Sequence, residues 1–311
     1  MSFPYFARLM VLVLASFFLI HLALAVALSM MRHSAIRFAG RFRPRQATSV
    51  LLGLRLFPTV FAALVVAGLC VPSYLWLEPD AETEAVGLWC LLAAVLGAAV
   101  WTISISRGVR AVVKSIRQSR QYEQEGIIEG PIFALAGIIH PRLFISRDVL
   151  NALSDEQLSS ALEHELAHRM SRDNLKRLLM LLVPDMVPFV RGMRAFDHAW
   201  AKFTEWAADD EAVNGNPDRS VTLASTLVQV ARLGIAPQTL PLATSLLGAD
   251  QDLSERVARL LGAQAPVAQP KRGTSAVVVG AMAILFAVVS WSMVQPATLS
   301  SVYRLLEQML R

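Results

Sequence analysis

Four long apolar runs dominate the pattern of the chain. They occupy residues 9–31, 56–77, 85–105 and 275–294, and none of them contains Asp, Glu, Lys or Arg. Each is close to the roughly 20 residues that an α-helix needs to cross the hydrocarbon core of a bilayer. The pattern therefore predicts three transmembrane helices, a long polar segment and one closing span. The first run is too long for the core of a cleaved signal peptide, so we expect a retained anchor.

The polar segment shows shorter periodicities. Two short apolar runs, in the segments 130–139 and 140–146, are divided by glycine and proline and predict a small strand pair. The stretch 134–139 is a candidate edge strand for pairing an extended substrate, or else a fully covered strand. Ser154 with Gln157 forms a capping-box pattern, and helical spacing follows it. Further helices are predicted at 197–213, 221–233 and 253–261, which together give a mostly helical α+β domain.

Composition and charge exclude two classes of protein. Hydrophobic residues make up 55% of the chain and the mean hydropathy is +0.48, which argues against an ordinary soluble enzyme. Residues 121–270 carry 13 Lys and Arg against 19 Asp and Glu, a formal charge of −6, while the rest carries +11. The pI of about 9.6 thus reflects residues beside the spans, and no nucleic-acid partner is expected.

The flanking charges predict the orientation. Basic residues follow the first and third runs, whereas the loop between the second and third runs has acidic residues alone: Arg32, Arg37, Arg41, Arg43 and Arg45; Arg107, Arg110, Lys114, Arg117 and Arg120; Glu78, Asp80, Glu82 and Glu84. Basic flanks remain on the cytoplasmic side. We expect a multi-pass protein of the cytoplasmic (inner) membrane with a cytosolic catalytic domain, and both chain ends outside.

The predicted organisation has three parts. Residues 1–106 form the membrane region with three spans, 107–270 form the catalytic domain, and 271–311 hold the fourth span with a short outer tail. The tail, 296–311, carries apolar residues at helical spacing. It is expected to form an amphipathic helix on the outer surface or to dock a separate sensor protein.

The candidate chemistry begins with the motif His-Glu-Leu-Ala-His at 164–168. Residues four apart share a helix face, so His164 and His168 can present nitrogens to one zinc ion. Glu165 lies about 100° around the helix, where a carboxylate can take a proton from water without occupying a ligand position. Capped or solvated histidines are the alternative for an isolated motif. We expect Leu162, Leu166 and Ala167 to make the helix mostly buried, which favours a metal partner.

A carboxylate from another helix is the expected third ligand. Cys70 and Cys90 fall inside the apolar spans, and histidines are few. We expect both cysteines to be buried free thiols, with a bridge between the neighbouring spans as the alternative. Glu205 is the best candidate, with Asp209 four residues on accepting the free N–H of a ligating histidine. The alternative for this acidic pair is an ordinary solvated helix face.

These motifs resemble the BlaR/MecR-type integral-membrane metallopeptidases. The likeness covers about residues 107–261 and rests on the histidine motif with Arg172-Asp173, the stretch 205–213, and the segments 137–146, 153–158 and 255–261. It implies a zincin-type fold and a gluzincin site: zinc held by His164, His168 and Glu205, with Glu165 as base and Asp209 in support. The three-plus-one span plan fits as well.

The resemblance also suggests partners. In the antibiotic sensors of that family a penicillin-binding domain follows the last span outside the cell, and signalling leads to cleavage of a cytosolic repressor. Only residues 295–311 follow the fourth run here, so a β-lactam-sensing domain is not expected.

Three further residues have two readings each. His198 precedes the Glu205 helix and is a candidate to stabilise the oxyanion of the tetrahedral intermediate, or else a surface histidine. Asp173 either orients the end of the histidine helix or makes a simple turn. His21 lies mid-span, as a functional ionisable group or as a neutral imidazole packed between helices.

The sequence therefore predicts a membrane-bound, zinc-dependent endopeptidase. Its expected action is limited proteolysis of a cytosolic or membrane-associated regulatory protein, such as a transcriptional repressor, in signal transduction. One alternative is an HtpX-like quality-control protease, which shares the histidine motif but usually places two spans before and two after the protease. The other is a non-catalytic membrane signalling scaffold.

Overall fold

The computed structural model describes residues 4–77, 86–125, 133–138, 141–185, 192–233, 243–245, 250–262, 291 and 295–310. These residues are predominantly helical, with one sheet of three short strands. Apart from position 291, the predicted fourth span lies outside them. The elements, in chain order, are α1 (Tyr5–Met30), α2 (Arg32–Ala39), α3 (Pro44–Val65), a π-helical turn (Val66–Cys70), α4 (Val71–Leu77), α5 (Leu88–Glu125), β1 (Phe133–Ala136), β2 (Arg142–Ile145), α6 (Arg147–Ala152), α7 (Asp155–Ser171), α8 (Asp173–Leu182), α9 (Gly192–Val213), α10 (Pro217–Arg232), β3 (Ala243–Ser245), α11 (Asp250–Leu261) and α12 (Pro296–Leu310).

Three helical segments are long and apolar enough to cross a membrane: Tyr5–Met30, Pro44–Leu77 and Leu88–Arg117. They confirm three of the predicted spans and extend their limits. The second span is composite, because the π-helical turn joins α3 to α4. Pro72 lacks an N–H and its ring would clash with the carbonyl of Gly68, so the wider turn accommodates the proline within a continuous helix.

The C-terminal helix α12 packs against α4 and the π-helical turn. Leu299 and Leu306 are buried, and Leu306 joins an apolar cluster that includes Tyr74, Cys70 and Cys90. The tail thus forms the predicted amphipathic helix, and its apolar face packs on the second span. Both cysteines are free and buried, as expected.

The helices of the polar segment surround a core of their own. Val149, Ala161, Leu223, Leu227 and Leu260 bring α6, α7, α10 and α11 together. Helix α7 begins with the predicted capping box, in which the side chains of Ser154 and Gln157 each accept from the other's backbone N–H.

The sheet corrects one expectation. Its order is β2-β1-β3 and both pairings are antiparallel, with Ala134 opposite Phe144 on one side and Ser245 on the other. Strand β1 is therefore the central strand, and the edge-strand reading of 134–139 is wrong. Strand β3 comes from more than 100 residues further along the chain, so local periodicity gave no sign of this pairing.

Helix α9 connects the spans to the polar segment. Near its start, Phe196 and Trp200 are buried with Ala47 and Leu51 of the second span. Near its end, Ala212 belongs to the core of the polar segment. One helix therefore packs on the membrane region at one end and on α7 at the other, and this arrangement positions the site.

Candidate metal centre

Helix α7 buries the residues of its histidine motif. His164, Glu165 and His168 are buried, with at most 1% of their surface exposed. Ala167 is buried as expected, whereas Leu162 and Leu166 are 38% and 50% exposed, so the expectation is wrong for these two leucines. Two residues before or after His164 corresponds to about 200° of rotation, which puts both leucines on the opposite face. The burial comes instead from the face that meets α9 and α10.

Helix α9 brings its acidic pair to the same place. Glu205 is 7% exposed and Asp209 is fully buried, and the two lie one turn apart on the face that meets α7. The Nε2 atoms of His164 and His168 are 3.1 Å apart. They lie 3.5 Å and 3.8 Å from Oε2 of Glu205. Three side chains from two helices thus converge on one point.

This donor set fits a zinc ion. Zn–N and Zn–O bonds of about 2.0–2.2 Å in a tetrahedral site place neighbouring ligand atoms roughly 3.3–3.5 Å apart. The Nε2–Nε2 distance and the two Nε2–Oε2 distances given above lie on either side of that range or within it. One ligand atom from each residue lies within 4.8 Å of the others. Two imidazoles and one carboxylate are also a donor set that catalytic zinc sites use, with the fourth position left for water or substrate.

Each histidine has a carboxylate at its other ring nitrogen. Nδ1 of His164 lies 3.0 Å from Oδ1 of Asp209, and Nδ1 of His168 forms a 2.9 Å hydrogen bond with Oδ2 of Asp173. Carboxylates in this position fix the ring orientation and make the opposite nitrogen a better ligand. Both Nε2 atoms are therefore turned toward Glu205.

The position of Asp173 depends on a break between α7 and α8. Arg172 has a φ of 55° and a ψ of 42°, the left-handed conformation, and it ends one helix and begins the next. In a continuous helix a residue five positions on would lie about 140° around from His168. The reversal at Arg172 returns the chain so that Asp173 reaches the imidazole, and Lys176 holds the other carboxylate oxygen at 3.0 Å.

Arg256 completes the centre, and the residue-by-residue reading of the sequence missed it. It lies on α11 and is 1% exposed. Its Nε and Nη2 donate to the two carboxylate oxygens of Asp209 at 2.9 Å and 2.6 Å, while Nη1 is 3.1 Å from Oε2 of Glu205. The only sequence signal was the family-like stretch 255–261, which assigned Arg256 no role.

The buried charges set the protonation of the centre. Burial alone would lower the pKa of His168, but the charge of Glu205 and the bond to Asp173 raise it to about 10. Contacts with Asp209 and Glu205 raise the pKa of His164 in the same way against burial. The centre therefore stabilises added positive charge at the imidazoles, whether as protons or as a metal cation.

The acidic members are held ionised. Burial would raise the pKa of Asp209, but Arg256 and His164 lower it to about 2. Arg256 and His168 hold the pKa of Glu205 well below its usual range against the same burial effect. The pKa of Arg256 rises because Asp209 and Glu205, and more weakly Glu165, outweigh its burial. Glu165 therefore lies close enough to feel the same charges.

His198 is not brought to this cluster. It is exposed on α9, seven residues before Glu205, which corresponds to about 10 Å along the helix. Its role in stabilising an oxyanion stays a prediction. His21, in the first span, is buried and lies 3.0 Å from Oγ1 of Thr59, which agrees with an imidazole packed between helices.

Comparison with known families adds one match. The Peptidase_M56 family, described as BlaR1 peptidase M56, matches residues 76–260, more than half of the chain. Among curated proteins and among solved structures, nothing matches this chain. The matched range contains both ligand-bearing helices and Arg256.

Proposed function

Because the chain belongs to the BlaR1 peptidase M56 family, and so is a membrane metallopeptidase, we propose that it is a zinc-dependent endopeptidase of the gluzincin type. The observation that carries this proposal is the convergence of the two Nε2 atoms on Oε2 of Glu205. The family supports a peptidase, and the donor set supports the choice of zinc.

In this proposal His164, His168 and Glu205 hold the metal. A bound zinc ion supplies a Lewis acid that acidifies water and polarises a peptide carbonyl. Glu165 accepts the proton of the attacking water on its carboxylate and passes it to the leaving amine. Asp209 and Asp173 keep the imidazoles oriented. Arg256 stabilises the ionised forms of Glu205 and Asp209, so that both carboxylates keep their negative charges in a buried site.

The substrate side is inferred from charge and family. Basic flanks at residues 32–45 and 107–120 favour a cytosolic active site in the cytoplasmic membrane. We therefore propose limited cleavage of a cytosolic or membrane-associated regulator, such as a transcriptional repressor. A signal would reach the enzyme through the membrane region, with a separate sensor protein as the candidate source.

Substrate trapping tests this function. Glu165→Gln removes the proton acceptor while keeping the size of the side chain, so the variant should retain bound substrates. Glu163→Gln is a matched control, because Glu163 lies on the same helix but pairs with Arg219 in solvent. Proteins held by the first variant and not by the second are then incubated with zinc-loaded wild-type enzyme in bilayers.

The outcome separates three functions. Cleavage of one or a few captured proteins at defined sites supports the regulatory peptidase. Extensive degradation of many membrane proteins would favour the quality-control alternative. A wild-type protein that binds zinc and cleaves none of the captured proteins would instead be a signalling scaffold, and the proposal would be wrong.

A further inference from the structure

A buried arginine of the second span faces the polar segment. Arg55 lies on α3 and is 3% exposed. Its Nε donates to Oδ1 of Asp197 at 2.9 Å, and Nη2 is 3.9 Å from Oδ1 of Asp185. A guanidinium inside an apolar helix bundle is costly unless it is paired, and such residues commonly have a function. Both of its partners belong to the polar segment rather than to the spans.

A second arginine, from the third span, contacts one of these two acids. Arg107 on α5 is 3.6 Å from Oδ2 of Asp185, and it also donates to the carbonyl oxygen of Val183. Asp185 therefore lies between cations of two different spans. We call Arg55, Arg107, Asp185 and Asp197 the span cluster. Its formal charges balance, two positive and two negative.

One member of the span cluster, Asp197, lies on the same helix as the third metal ligand. Asp197 and Glu205 are both on α9, eight residues or about 12 Å apart. An α-helix is stiff over two turns, so a shift of α9 along the second span would carry Glu205 with it. The histidines lie on a different helix, α7, so such a shift would change the distances between Oε2 and the two Nε2 atoms.

Close packing keeps α9 against the spans, and the hydrogen bond between Arg55 and Asp197 sets its register along the second span. A Cβ added at Gly192, the first residue of α9, would lie 2.5 Å from the side chain of Ser29 at the end of the first span. Phe196 and Trp200 fill the interface with the second span through non-directional apolar contacts. Apolar surfaces resist separation but set register weakly, whereas a 2.9 Å charged hydrogen bond defines one position.

We propose that Arg55 is a positioning residue for the metal centre: through Asp197 it fixes the register of α9 on the second span, and so the place of Glu205. This inference rests on the proposed zinc site and adds its connection to the membrane region. Movement of the second or third span would then alter the third ligand without altering the histidine pair. An ångström of misplacement is enough to weaken catalysis strongly.

Variants of Asp197 and Arg55 test the proposal in full-length protein. A matched control exists on the same two helices, because Arg45 of α3 pairs with Glu211 of α9 at 3.1 Å in solvent. Zinc affinity is measured by competition with a chromogenic chelator, and thermal unfolding of the metal-free protein is measured beside it. Asp197→Asn should weaken zinc binding by at least about tenfold. Glu211→Gln should leave it unchanged, and Arg55→Lys should bind more tightly than Arg55→Gln.

If Arg55 and Asp197 only stabilise the fold, the result is different. Their variants should then have a lower unfolding temperature, while the protein that remains folded keeps normal zinc affinity. Positioning acts through Glu205, so in a Glu205→Ala background Asp197→Asn should weaken the remaining affinity no further. Normal zinc affinity in Asp197→Asn, with weak binding in Glu205→Ala, would overturn the positioning role alone. Normal affinity in Glu205→Ala itself would overturn the ligand set of the proposed function. Should Arg55→Gln not fold, the partly exposed Asp197 gives the same test.

Discussion

Arg256 donates one hydrogen bond to each carboxylate oxygen of Asp209, at 2.9 Å and 2.6 Å, and both side chains are buried. The pair joins α11 to α9 across 47 residues of sequence. Asp209 also lies 3.0 Å from His164, so the arginine supports the metal centre through the carboxylate that orients a ligand.

Loss of Arg256 should destabilise the metal-free protein strongly. Arg256→Met would leave Asp209 and Glu205 as buried charges without their cation, which typically costs about 3–5 kcal/mol. Zinc should restore part of that loss, because it returns positive charge to the carboxylates. Chemical denaturation with and without zinc measures both effects. Arg259→Met is the control, since Arg259 joins the same two helices through the more exposed Asp210 and should change stability by less than about 1 kcal/mol. Equal losses for both variants would contradict the prediction.

The roles of ligand and base can be separated by metal content. His164→Ala and Glu205→Ala each remove a donor, so zinc and hydrolysis should be weakened or lost together. Glu165→Gln should keep about one zinc per chain while turnover falls by at least about 10²–10⁴, the usual contribution of a general base. Elemental analysis beside a cleavage assay measures both quantities. Full zinc and activity in Glu205→Ala would mean that another group completes the site.

The carboxylates behind the histidines should tune metal affinity without abolishing it. Asp173→Ala and Asp209→Ala remove the groups that orient His168 and His164, and each should weaken zinc binding by roughly 10–100-fold. Lys176→Gln is the control for Asp173, because Lys176 contacts only its outer oxygen at 3.0 Å. Competition with a chelator measures the constants. Unchanged affinity in both aspartate variants would show that ring orientation is set elsewhere.

Zinc binding should release protons near neutral pH. The charge of Glu205 and the bond to Asp173 raise the pKa of His168 to about 10 against its burial, so this imidazole carries a proton at pH 7 that a metal must displace. Contacts with Asp209 and Glu205 raise the pKa of His164 as well. The pKa of Glu205 is lowered, so its carboxylate contributes none. Affinity should therefore rise with pH between about 6 and 9. Calorimetry in buffers of different ionisation enthalpy counts the protons, and a result of zero would refute the assignment of these charges.

The basic flanks predict that the polar segment faces the cytosol, and this prediction can be tested separately from the metal centre. Reporter fusions placed after residue 124 and within residues 81–84 should report opposite sides of the membrane, with the first in the cytosol. An outside signal from the first fusion would remove the cytosolic substrate from the proposal. The metal centre itself would be unaffected by that outcome.

Local chemistry allowed several elements to be predicted from the sequence. Three spans follow from apolar length, because a bilayer selects helices by the residues within each segment. The start of α7 follows from Ser154 and Gln157, and the end of α9 follows from the turn residues at 214–217, since these signals act over three or four positions. The spacing of His164 and His168 likewise predicted one shared face.

Only the tertiary structure decided how these pieces meet. Strand β1 is central because it pairs with β3, which lies far along the chain. The ion pairs of Arg55 with Asp197 and of Arg256 with Asp209 join residues that are 142 and 47 positions apart. The exposed Leu166 shows the same limit, because apolar character does not tell which face a neighbour will cover. Helical periodicity assigns residues to faces, whereas long-range ion pairs depend on how helices pack. That packing is set by the whole chain and not by any one segment.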